Sequence, residues 1–327
     1  MEIKVVGPIY NLTYNSHEKL SLGGGFFLCN DAELIKREFL KPDFALTVGR
    51  NTMEHLVHLP YILWEGEEEL FTTQYKGGTS KDSLHNCWGL LLPFLFSLWF
   101  IKDNSININE IYLDLSFRNQ VIQNKLNIWV SNSDGQYKQT EFTVEEFHQA
   151  LEWREKIIKL SPRSSEENIQ SKKEIQKTVG LEYKSNIIPY GEMNRLSRAL
   201  QFVQVARNES FLPMKITAYV AALEALLSTS HNEVTHQISE RVAKIMGGDL
   251  ETRMANYNFI KRVYGLRSDY VHGSGIGNKT LMKMYELSPR LDSLVREFFT
   301  VLFEKHQDLF TKSENELKLW LLNLVLK

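Results

Sequence analysis

A chain of 327 residues is long enough for two domains, each with its own core. Its composition, 43% hydrophobic and 24% charged, is that of an ordinary globular protein and excludes disorder as the starting assumption. The formal net charge of −2 excludes a surface that coats nucleic acid indiscriminately, so any nucleic-acid site has to be local.

The opening residues Met1-Glu2-Ile3-Lys4-Val5-Val6 read as a strand and not as a secretory leader. Short runs rich in β-branched and aromatic residues recur at 3–6, 26–29, 44–48, 69–75, 111–117 and 126–130. Turn signals separate them at Gly23-Gly24-Gly25, Lys76-Gly77-Gly78 and Ser133-Asp134-Gly135. This pattern predicts a β-rich N-terminal domain over 1–160, a sandwich or half-barrel packed on one helix. That helix is the apolar run Gly89–Ile101, with a kink or late start at Pro93. It is shorter than the ~20 residues a membrane-spanning helix needs, so no membrane partner is expected. The glycine triplet lacks the strand, helix and lysine of a phosphate-binding loop and reads as a flexible turn. His55-Leu56-Val57-His58 has no third ligand in sequence and reads as strand alternation; no metal or cofactor is expected. Cys29 and Cys87 lack metal spacing and point to a reducing, cytoplasmic setting.

Thr143-Val144-Glu145-Glu146 is a capping box that opens a helix carrying Phe147, Leu151, Trp153 and Ile157 and ending before Pro162. Residues 161–185 turn polar and charged and read as a linker. From 186 to 327 the periodicity is helical. Stripes run through Met193, Leu196, Leu200 and Val203, then Ile216, Val220, Leu223 and Leu227, then Val234, Ile238, Val242 and Ile245. Further stripes pass through Phe259 and Val263, through Leu291 to Phe303, and through Leu317 to Val325. The predicted fold class is therefore α+β: a β-rich N-terminal domain followed by an all-α helical bundle.

Near the end of the fourth helix stands Tyr264-Gly265-Leu266-Arg267-Ser268-Asp269-Tyr270-Val271-His272-Gly273. Gly273 is a natural helix stop. In an ideal helix Arg267 and His272 lie about 140° apart and roughly 7.5 Å along the axis, so they line one cleft only if the last turn unwinds. A permanent cation beside a group that titrates near neutrality suits chemistry at a phosphate. Arg253, Lys261, Arg262, Arg267, Lys279 and Lys283 surround the motif with Asp269 as the nearby acid, a local basic patch of the kind a short RNA contact requires. Tyr257, Tyr264 and Tyr270 offer base-stacking surfaces. A solvated helix face with a cation at its C-terminal dipole is the plain structural alternative.

With Ala221-Ala222-Leu223-Glu224-Ala225-Leu226-Leu227 and Ile238–Gly247 upstream, the order and spacing over about 190–310 resemble the HEPN superfamily, and within it the ApeA-like domains of bacterial defence proteins. The resemblance implies a metal-independent endoribonuclease with Arg267 and His272 as catalytic residues. Ser268 or Asp269 would orient the histidine or the substrate, and Glu224 would brace the arginine. Lys261, Arg262, Tyr270 and Lys279 are the expected RNA contacts. It implies a homodimer through the helical domain that completes the site, and an anti-phage, abortive-infection toxin whose N-terminal domain, by elimination, senses a phage-derived or protein trigger. Some HEPN toxins are silenced by modification of a tyrosine two residues after the histidine; here that position is Ser274. A non-catalytic HEPN module that binds RNA, nucleotide or protein, and a purely structural dimerisation domain, are the competing expectations.

Overall fold

The computed structural model describes residues 1–160, 193–230, 232–271 and 277–326. The expected linker at 161–185 lies outside the described residues. The chain divides into two compact units, Met1–Glu155 with Arg207–Phe211, and Lys156–Ala206 with Leu212–Lys327. The fold class is α+β, an antiparallel sheet in the first 125 residues and a mainly helical C-terminal part.

In the first unit the strands are β1 (Glu2–Pro8), β2 (Leu12–Thr13), β3 (Leu20–Gly23), β4 (Phe26–Cys29), β5 (Tyr61–Glu67), β6 (Glu110–Leu115), β7 (Gln120–Lys125) and β8 (Thr140–Glu141). Six of them form one sheet in the order β3-β4-β5-β1-β6-β7, with every neighbour antiparallel. The helices are α1 (Ala32–Phe39), α2 (Pro42–Val48), α3 (Arg50–His58), α4 (Glu68–Gln74), α5 (Ser80–Asn86), α6 (Trp88–Ile101) and α7 (Val144–Leu160, whose last five residues belong to the second unit). The alternation of a strand sends neighbouring residues to opposite faces. Ile3, Val5, Ile62, Trp64, Ile111 and Leu113 pack with α6 and the start of α7. Val6, Tyr61, Leu63 and Tyr112 pack with α1, α2 and α3. The expected sandwich or half-barrel on one helix is thus corrected: a single sheet separates two helix-lined cores.

Three of the predicted strands are not strands. Residues 44–48 belong to α2, which opens on Pro42 as its first residue and buries Phe44 and Val48, one helical turn apart. Residues 69–74 form α4, whose acidic first turn precedes buried Phe71. Residues 126–130 are irregular and are held at both ends: the Val130 amide donates to the Asn107 side chain, Oδ1, at 2.7 Å, and the Leu126 amide donates to the Asn109 backbone carbonyl at 2.8 Å. His55 and His58 lie on helix α3, not on a strand. Among the described residues no group of three or more His, Cys, Asp or Glu is placed to hold a metal ion.

Helix α6 carries Pro93 in its interior and is apolar all round. The stretch Ser80–Ile101 has the length and composition of a membrane span, yet it supplies Trp88, Leu91, Phe94 and Leu98 to the first core. The capping box forms as the sequence predicts: the Glu146 amide donates to Thr143 Oγ1 at 3.2 Å, and the Thr143 amide donates to the Glu146 carboxylate at 3.0 Å.

The second unit contains α8 (Arg195–Asn208, whose last two residues belong to the first unit), α9 (Leu212–Leu227), α10 (Val234–Met246), α11 (Leu250–Val271), α12 (Asn278–Lys305) and α13 (Glu314–Leu326). The predicted stripes face inward: Leu223, Ile238, Val242, Phe259, Val263, Leu291 and Phe298 are buried. A buried carboxylate ties α9 to α12. The Tyr219 hydroxyl donates to Asp292 Oδ1 at 2.5 Å, and Arg296 pairs with Asp292 Oδ2 at 2.9 Å, so the charge is compensated where it is desolvated. Gly247 and Gly248 end α10 with φ of 71° and 90°.

The glycine triplet is a turn with a steric purpose. All three glycines have positive φ, and a Cβ on Gly25 would stand 2.5 Å from Trp64 Nε1. Gly49 also has positive φ, at 84°, but open space around it. Gly49, with ψ of 159°, lies in a region essentially reserved for glycine, so Gly49→Ala is expected to cost about 1–3 kcal/mol from backbone strain alone, and Gly25→Ala about 1–3 kcal/mol more from overpacking. Urea unfolding of both variants, followed by tryptophan fluorescence, checks the ordering; equal midpoints would refute it.

Candidate functional site

The site is built where α9 and α11 face each other. Glu224 interrupts the apolar second half of α9 one position after buried Leu223. Tyr264 and Arg267 are three residues apart on α11 and so share a face. The Tyr264 hydroxyl donates to Glu224 Oε1. Arg267 Nη2 stands 3.9 Å from Glu224 Oε2, and its guanidinium carbon lies 5.8 Å from the Tyr264 ring centroid. A separation of 3.9 Å is an ion pair without a hydrogen bond. The guanidinium is thus steered by a charge and a ring without being consumed by either. Its Nε is buried and has no hydrogen-bond partner among the described residues. With 28% of the Arg267 side chain exposed, solvent reaches the group.

Burial pushes the Glu224 carboxyl above the usual carboxylate range, and the Arg267 charge opposes that rise. The tyrosine hydroxyl, the carboxylate and the guanidinium form a chain that begins in the interior and ends at the surface. Arrays of this kind orient a cation toward an anionic ligand.

The other expected residues fall around this point. Ser268 is half-buried and Asp269 exposed; neither side chain hydrogen-bonds to another described residue. Lys261, Arg262 and Lys279 are exposed, and Tyr270 is half-buried. His272 and Gly273 lie outside the described residues. Of the tyrosines offered for base stacking, Tyr264 is 7% exposed, so its ring is core and its hydroxyl is the part that meets Glu224. Tyr257 is half-buried, edge-on to His236 at 5.9 Å. Gly265, between Tyr264 and Leu266, sits on the exposed side of α11 with nothing within 4 Å of where a Cβ would be. Sequence reasoning anticipated Glu224 and Arg267 but not the hydroxyl between the two helices. The available signal was a tyrosine three residues before the arginine, on its face of the helix.

No family model matches the chain, and neither any curated protein nor any solved structure matches it.

A carboxyl whose folded pKa is raised binds its proton more tightly in the folded chain than in the unfolded one. Stability then falls as pH climbs from the unfolded value through the folded one, and is level above it. Glu224→Gln imitates the protonated form, so its stability relative to wild type is expected to improve between pH 4 and pH 7. A difference independent of pH, measured by urea unfolding at both, would refute this. Tyr264→Phe leaves Glu224 Oε1 without its donor and is expected to cost about 1 kcal/mol at pH 7.

Proposed function

We propose that the chain is a metal-independent endoribonuclease of HEPN type, acting through Arg267 and His272. The observation that carries this reading is the state of Arg267: a semi-exposed guanidinium aimed by Glu224 and Tyr264, with no hydrogen bond to the carboxylate and an unpartnered Nε. Such a group is ready to hold a phosphate through its fork of donors and to offset the charge that grows in the pentacoordinate state. The nucleophile is the RNA's own 2′-hydroxyl, beside the scissile phosphate. His272 takes or relays its proton, the general acid–base role for which an imidazole is suited.

One chain contributes one arginine and one histidine from this motif. A homodimer through the helical domain brings two of each to one cleft and provides separate groups for proton removal and proton return. The biological setting consistent with this reading is a cytoplasmic abortive-infection toxin. Its first unit responds to a phage-derived or protein trigger. The second reading is a HEPN module that binds RNA, nucleotide or a protein partner without cleaving it. The observation that favours it is the proximity of Glu224, which partly neutralises the arginine before any ligand arrives.

Purified protein incubated with total RNA in EDTA separates the two. Cleavage is expected to persist in the chelator and to leave 2′,3′-cyclic phosphate ends, and Arg267→Ala and His272→Ala are each expected to abolish it while the chain stays folded and dimeric. Intact RNA in the wild-type reaction supports the binding module. Restoration of activity by magnesium, with 3′-hydroxyl products, points to metal-dependent hydrolysis instead. For the composite site, mixing His272→Ala chains with wild type is expected to lower activity by more than dilution does.

A further inference from the structure

Among the described residues, Arg262 and Arg290 are the two arginines that make neither a hydrogen bond nor an ion pair. Every other described arginine faces a carboxylate or donates to a backbone oxygen. The two unpaired ones come from different helices and stand over the same ring. The Arg262 guanidinium carbon is 5.9 Å from the centroid of Phe259, and that of Arg290 is 4.2 Å from it. Both side chains are exposed, while Phe259 beneath them is 2% exposed. Glu286, one helical turn before Arg290 and in the favourable orientation for an i,i+4 pair, makes no ion pair with it.

Covering a phenyl ring with arginine stems explains the burial of Phe259. It does not explain two like charges within about 10 Å of each other, a distance at which salt screens incompletely. Among the described residues Glu286, exposed one turn before Arg290, and the attraction of a ring face for a cation soften that repulsion, but no carboxylate pairs with either guanidinium directly. A bound anion does. The charge continues along α12: Lys279, Lys283 and Arg290, spaced by four and seven residues, fall on one helix face and are all exposed, with Glu286 as the single carboxylate among them. That row spans about 16 Å and ends in the first turn of α12, the helix that follows the Arg267 motif. A compact ion would occupy one point of such a row; a linear polyanion matches all of it.

We propose that Arg262 and Arg290, over Phe259, grip the phosphodiester backbone of single-stranded RNA beyond the scissile position, as the outer end of a cationic track leading to Arg267. The proposal rests on the ribonuclease reading for its ligand but has its own readout. Guanidiniums seated on a ring keep their fork open to phosphate oxygens, and the ring holds them at a fixed height. The grip is on the backbone and carries no base preference.

The test is fluorescence anisotropy of a short labelled single-stranded RNA on the full-length Arg267→Ala chain, with and without Arg262→Gln and Arg290→Gln. Glutamine keeps a stem over Phe259 and removes the charge. Each substitution is expected to weaken binding by about fivefold or more and to flatten the slope of log K against log salt by about 0.7 for each phosphate that is no longer neutralised. Arg290→Lys is expected to recover part of the affinity. Unchanged affinity and slope in both glutamine variants would overturn the proposal. So would displacement of the RNA by inorganic phosphate or polyglutamate as effectively as by unlabelled RNA. If wild type cleaves RNA while the glutamine variants bind and cleave normally, the track is wrong and the ribonuclease reading stands. If binding falls in those variants but wild type leaves RNA intact, the track stands and the ribonuclease reading is wrong.

Discussion

Val5 and Val6 are adjacent, both wholly buried, and on opposite faces of the central strand β1. That arrangement constrains the whole first unit. A strand with one wet face can be covered by a single layer; a strand dry on both sides needs a layer on each. β1 pairs with β5 on one side and β6 on the other, so its register also sets theirs: Val5 lies opposite both Trp64 and Leu113. A slip by one residue would exchange the two cores' side chains. The placement of α1–α3 against one face and α6–α7 against the other follows from those pairings.

How much of this was legible depended on segment length. The second unit's helices run for 13 residues or more and repeat their apolar positions over several turns, so periodicity alone located them. Helices α2 and α4 have seven residues each and few buried apolar side chains apiece. Over so short a span β-branched and aromatic residues satisfy a strand template as well as a helix, and propensity points the wrong way. Pro42, as a first-turn residue, was the overlooked arbiter in α2. At 126–130 there is no ladder of the kind that apolar content implied; the Asn107 side chain instead bonds both backbone groups of Val130.

The candidate site divides along a similar line. Glu224 stood out because a carboxylate in an apolar helix requires a reason, and Arg267 because of its motif. The Tyr264–Glu224 contact joins positions 40 residues apart and depends on how two helices face each other, which no local pattern encodes. Arg290 was invisible for a different reason. What sets it apart is that, among the described residues, no carboxylate pairs with it, and that can be read only in three dimensions. His272, the motif's other half, lies outside the described residues and rests on the sequence alone, on its spacing to Arg267 and the glycine that follows it.

Gly265 adds a consequence of its own. A glycine inside a helix forfeits roughly 1 kcal/mol relative to alanine, and no atom of the described residues requires it, because none lies within 4 Å of where a Cβ would be. The fold therefore keeps a soft, low spot on α11 between Tyr264 and Leu266, two residues before the motif arginine. There the helix presents bare backbone where every other residue type would raise a side chain. A second molecule can bring its atoms into van der Waals contact with the peptide groups of that turn. Amide exchange should also be faster there than at Phe259 and Ile260, deeper in the same helix.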